Sequence, residues 1–119
     1  MALLLSACHG AKYHYKSGKK YAQASMLKES VTSYKRAIDR KTNKVKYRIA
    51  MEESGSALLE ELYTNYRFAD GNDSASIYKF RDAEKWRNYL VPYMNTSRYE
   101  GFYDQDYRDQ LDRFLAQKY

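Results

Sequence analysis

The chain has little of what usually marks an active site or a cross-linked scaffold. One cysteine in 119 residues excludes an intrachain disulfide and any zinc site built from several thiolates. A single proline, Pro92, and only five glycines leave few points at which a helix must stop. The two histidines, His9 and His14, have no adjacent acid to orient their rings, so neither a metal pair nor a base beside a nucleophile is predicted. No run approaches the ~18–20 apolar residues of a membrane-crossing helix. A glycine-rich phosphate loop, a Ser–His–Asp set and a dinucleotide fingerprint are all missing from the sequence.

The acidic groups suggest no chemistry either. Glu52-Glu53 and Glu60-Glu61 are sequence neighbours, and neighbours on a helix point to different sides, so they are expected as surface charges. Asp70-Gly71-Asn72-Asp73-Ser74 faintly resembles a calcium loop, but Ala75 and Arg81 stand where such a loop needs glycine and glutamate. It is expected instead as a turn, with Asp73 or Ser74 capping the next helix. Asp104, Asp106 and Asp109 suit the first turn of a last helix, where negative charge complements the macrodipole. The expectation is a protein that is not an enzyme, with no metal, cofactor or small-molecule substrate.

Positive charge is plentiful and unevenly placed. Residues 1–48 hold twelve Lys or Arg against Glu29 and Asp39, a formal +10, whereas residues 49–119 hold nine against thirteen acids, a formal −4. Apolar residues recur at the 3.6-residue helical period, with no strict alternation of the strand kind. Leu27, Val31, Tyr34 and Ile38 form one stripe. Leu58, Leu59, Leu62, Tyr63 and Tyr66 form a second, Ile77, Phe80, Ala83, Trp86 and Leu90 a third, and Tyr107, Leu111, Phe114 and Leu115 a fourth. The fold class is therefore all-α, a small array or bundle of four to five helices. Expected spans are Lys12–Ala24, Leu27–Arg40, Lys44–Phe68 either continuous or broken at Gly55, Ala75–Val91 ending ahead of Pro92, and Asp104–Lys118.

Two stretches resemble known families. Leu5-Ser6-Ala7-Cys8 resembles the processing box of bacterial lipoproteins, in which small residues precede a cysteine that takes diacylglycerol and becomes the mature amino terminus. The lead-in departs from that pattern, having no basic residue before Cys8 and an apolar run of only Ala2 to Leu5. The resemblance implies a lipidated Cys8, a signal remnant at 1–8, a helical domain at 9–119 and a place in the cell envelope facing the periplasm. The spacing Gly18-x2-Tyr21-x8-Ser30-x3-Tyr34-x2-Ala37 resembles one tetratricopeptide unit, a helix-turn-helix in which small and aromatic residues meet where the helices cross. His14, Ser17 and Thr42 stand where that family has tryptophan, leucine and proline, and no second unit follows. It implies a hairpin over residues 11–42 with Tyr21 and Tyr34 buried beside Gly18 and Ala37.

Fourteen tyrosines complete the picture, since tyrosine joins a large apolar ring to a polar tip and suits half-buried contacts. Lys12, Lys16, Lys19 and Lys20 are the candidate contacts to an anionic membrane surface. Tyr99, Phe102 and Tyr103 are the candidate anchors for an envelope protein partner. The expected role is a lipid-anchored, protein-binding or assembly module. The alternative is a cytoplasmic helical module whose interleaved lysines and tyrosines bind nucleic acid.

Overall fold

The computed structural model describes residues 10–67 and 74–102. Within these residues the chain is all-α, with four helices and no strand: α1 (Ala11–Gln23), α2 (Leu27–Arg40), α3 (Val45–Arg67) and α4 (Ser74–Leu90), followed by a 3₁₀ segment over Ser97–Phe102. The expected last helix, Cys8, His9, Tyr103 and most of the calcium-like stretch lie outside the described residues. The chain divides into two compact units, Met1–Leu58 and Leu59–Tyr119, and α3 contributes to both.

The first unit is a hairpin of α1 on α2, with the first half of α3 added. Its tight connection is a complete Schellman cap: Met26 N–H donates to the Tyr21 carbonyl at 2.9 Å, and Ser25 N–H to the Ala22 carbonyl at 3.0 Å. That cap requires a left-handed residue, and Ser25 supplies it at φ 59° where glycine is the usual choice. The apolar face of α2 is buried through Val31, Tyr34, Ala37 and Ile38, with Ser30 and Ser33 beside them.

Tyr34 is 3% exposed, as the hairpin spacing implies, but Tyr21 is 37% exposed and does not fill the groove. Tyr21 belongs to the final turn of α1, and its offset from Gly18 rotates it to the flank of the buried face. The α1 aromatic that packs against Tyr34 is the half-buried Tyr15, whose ring centroid lies 5.9 Å from that of Tyr34 and 4.9 Å from that of Tyr47.

The alternative left open at Gly55 is decided. Helix α3 runs unbroken for 23 residues through Gly55. A mid-helix glycine costs only about 1 kcal/mol against alanine, and good helix formers flank it: Ala50, Met51, Glu52 and Glu53 before, Ala57 and Leu58 after. Pro92 does end α4, at Leu90 as expected, and the Tyr93 and Met94 N–H groups cap the Leu90 carbonyl at 2.9 and 3.0 Å.

The second unit is built on rings. Leu59, Tyr63 and Tyr66 from the end of α3 are buried, as are Ile77, Phe80, Ala83 and Leu90 from α4. Tyr66 meets Phe80 at 4.8 Å between centroids, and Tyr63 stacks on Tyr99 at 6.2 Å with planes 11° apart. The Asn95 side-chain oxygen accepts from Ser97 N–H at 2.9 Å, an Asx turn that starts the 3₁₀ segment and turns Tyr99 inward. Trp86, expected in the buried stripe, is only half-buried and sits edge-on to Tyr89 at 5.2 Å.

Candidate functional site: a cationic face on the first unit

The site begins with Gly18. A Cβ at this position would sit 2.5 Å from Cδ1 and Cε1 of Tyr34, so only glycine lets the ring lie flat on the α1 backbone. With the helices that close, Ser30 reaches across and donates from Oγ to the Gly18 carbonyl at 2.8 Å. Its one proton being committed there, Ser30 accepts from Ser54 of α3 in the 2.9 Å contact between the two hydroxyls. Burial raises the Tyr34 phenol above 10.0, and the Ser30 and Ser54 hydroxyls partly oppose that rise. One polar knot thus ties α1, α2 and α3 together and fixes which face of α1 looks outward.

That outward face is cationic. Lys12, Lys16, Lys19 and Lys20 are all exposed, and their spacing confines them to an arc of about 100° around the helix. No acidic residue occurs anywhere on α1. Buried Ala11 and Gly18 mark the opposite face. Tyr15 then joins this stripe to α3: Lys19 Nζ stands 5.5 Å and Lys46 Nζ 5.3 Å from its ring centroid, contacts worth about 0.5–1 kcal/mol each at exposed positions. The face continues through the exposed cations Arg40, Lys41, Lys44 and Arg48. Asp39, one of the few acids nearby, is engaged by Lys35 at 2.9 Å.

The structure therefore keeps all four predicted lysines together on one surface. It treats the predicted aromatic anchors differently. Tyr99 is 2% exposed, stacked on Tyr63, and faced by the Arg98 guanidinium at 5.8 Å; its ring is a core element of the second unit and not a surface anchor. Phe102 ends the 3₁₀ segment, and Tyr103 is beyond the described residues. Sequence reasoning missed Tyr15 and Lys46, which share no periodic stripe and meet only through tertiary packing. It also missed the hydrogen bond between Ser30 and Ser54, although Ser30 belongs to the hairpin spacing and Ser54 lies in helical register with Ala50, Met51 and Leu58.

Among the described residues no cluster of three His, Cys, Asp or Glu could hold a metal ion. His14 packs edge-on to Tyr13 at 5.3 Å. Glu52, Glu53, Glu60 and Glu61 are exposed, as expected of surface charges. No described helix is long and apolar enough to cross a membrane. What the fold and site define is a small all-α protein with a lysine-faced helical hairpin. No protein-family model, curated protein or solved structure matches the chain.

Proposed function

We propose that this chain is a lipid-anchored protein of the bacterial cell envelope, held to an anionic membrane surface through Cys8 and the lysine face of α1, and that it serves as a non-catalytic protein-binding or assembly module. The observation that carries the reading is the stripe of Lys12, Lys16, Lys19 and Lys20, exposed together on a helix without acids that begins three residues after Cys8. Cations near an anionic bilayer contribute on the order of 1 kcal/mol each, and a single lipid signal gains stable anchoring from such a basic patch. The Gly18–Tyr34 crossing supports a tetratricopeptide-like hairpin, an architecture suited to presenting helical faces to other proteins. Partner contact falls to Phe102 and Tyr103, with Tyr99 holding the segment from inside.

Protein isolated from its native host should lack residues 1–7 and bear acyl chains on Cys8, read by mass spectrometry, and Cys8→Ser should move it to the soluble fraction. An intact Met1 terminus with an unmodified thiol overturns the anchor. Phe102→Ala with Tyr103→Ala should abolish capture of an envelope partner by the membrane-bound chain while vesicle binding persists.

A further inference from the structure

The α2–α3 connection has a shape and chemistry of its own. Arg40, Lys41, Thr42, Asn43 and Lys44, five consecutive residues, line a cavity of about 540 Å³, within the ~300–1,000 Å³ typical of small-ligand pockets. Alongside the aliphatic stems, its described lining residues bring three cations, a hydroxyl and a carboxamide. Donors so arranged suit a multiply charged anion with several acceptor oxygens. Asp39, which precedes the connection, pairs with Lys35 at 2.9 Å.

The connection is also held. Lys41 N–H donates to Ala37 at 3.0 Å, Lys44 N–H to Lys41 at 3.4 Å, and Arg48 Nε to the Thr42 carbonyl at 2.9 Å. The Arg40 guanidinium is braced on the Arg36 carbonyl at 3.1 Å. A loop ordered in advance loses less entropy when it binds. Its position matters as much: because α1 and α2 are antiparallel, the end of α2 returns to the start of α1, where Tyr15 packs on Tyr47 of α3. The cavity therefore lies at the end of the first unit where α1 begins at Ala11.

We propose that Arg40–Lys44 is a phosphate-binding cradle that takes the exposed phosphate of an anionic lipid headgroup. The proposal rests on the membrane reading above and adds selectivity to it: the α1 lysines supply nonspecific attraction, and the cradle favours a terminal phosphate over phosphates buried in a diester.

The test uses the full chain and vesicles of phosphatidylcholine mixed with either phosphatidylserine or phosphatidic acid, matched in surface charge. Wild type should bind the phosphatidic acid vesicles about tenfold more tightly, the scale of one charge-assisted hydrogen bond. Lys41→Gln with Lys44→Gln should erase that preference and leave phosphatidylserine binding within about twofold, whereas Lys16→Gln with Lys19→Gln should weaken both equally. All four lysines are exposed, and far-UV circular dichroism should confirm unchanged helicity. Inorganic phosphate should displace the chain from phosphatidic acid more than chloride does at equal ionic strength and leave phosphatidylserine binding no more affected than chloride does; phosphate binding without any preference for phosphatidic acid vesicles assigns the cradle to a soluble phosphate and overturns the lipid source. Equal binding to both vesicles overturns the cradle alone. Binding to neither removes the membrane reading with it, and tight binding of single-stranded RNA at physiological salt, lost in the Lys41/Lys44 variant, replaces both with nucleic-acid recognition.

Discussion

At the scale of single residues, two positions in the hairpin reverse ordinary substitution rules. Glycine inside an exposed helix is normally improved by alanine, by about 1 kcal/mol. At Gly18 the added Cβ would stand 2.5 Å from the middle of the Tyr34 ring, which has no flexible end to move aside. Overpacking of that kind costs about 1–3 kcal/mol, so Gly18→Ala should destabilise the protein by about 1–2 kcal/mol in urea denaturation. Combining it with Tyr34→Ala should cost less than the sum of the two single changes, because the clash disappears with the ring. Ser25 behaves in the opposite sense. Its φ of 59° costs a side-chain-bearing residue about 1 kcal/mol or more, and the Schellman hydrogen bonds are made by backbone alone. Ser25→Gly should therefore stabilise by about 0.5–1 kcal/mol, visible as a rise in Tm, and an unchanged or lower Tm would contradict the strain.

At the scale of elements, helix positions were legible where burial follows period and illegible where it follows packing. Val31, Tyr34 and Ile38 are buried in the register their spacing implies, and α4 stops where Pro92 withholds its N–H. Gly55 left a break open because a local cost of about 1 kcal/mol was weighed without the tertiary packing of Tyr47, Met51, Leu58 and Leu59, all buried on the same helix. Tyr15 and Tyr21 both sit near the hairpin crossing, and α3, through Tyr47, gives Tyr15 the ring contact that leaves it half-buried while Tyr21 stays exposed. The lysine stripe was legible since all four residues share one face of one helix. Its extension through Lys46 was not, because a contact between α1 and α3 leaves no local signature. Tyr99 is the sharpest case: in a segment without period it reads as an exposed anchor, yet the Asn95 turn sets it against Tyr63. Tyr99→Ala should consequently lower the stability of the second unit by about 3–5 kcal/mol, the range for large aromatic truncation in a core. Circular dichroism and denaturant melts would detect this before any binding assay, and a Tyr99→Ala protein with wild-type stability would return the residue to the surface.

At the scale of the whole molecule, each unit holds a buried phenol whose ionisation opposes folding. Burial is the main cause in both: it raises Tyr34 in the first unit against the Ser30 and Ser54 hydroxyls, and Tyr63 in the second against the charge and hydrogen bond of Arg87. A phenol with a raised folded-state pKa binds its proton more tightly in the native protein than in the unfolded chain. Its contribution is therefore complete below the unfolded value of 10.0 and is lost as pH rises from there through the folded value. Each such group contributes a slope approaching 1.36 kcal/mol per pH unit within that window. Stability should be insensitive to these tyrosines through neutral pH and fall steeply above about pH 10. Tyr34→Phe keeps the ring against Gly18 and removes the ionisable group, so it should cost about 1 kcal/mol at pH 7 from the lost hydroxyl contacts. The same variant should flatten the alkaline fall contributed by the first unit, and Tyr63→Phe should do so for the second. Urea melts between pH 7 and pH 12, with tyrosinate absorbance followed in parallel, separate the two contributions. A Tyr34→Phe protein whose stability falls with pH as steeply as wild type would show that this phenol ionises without resistance and that its burial against Gly18 does not oppose the charge.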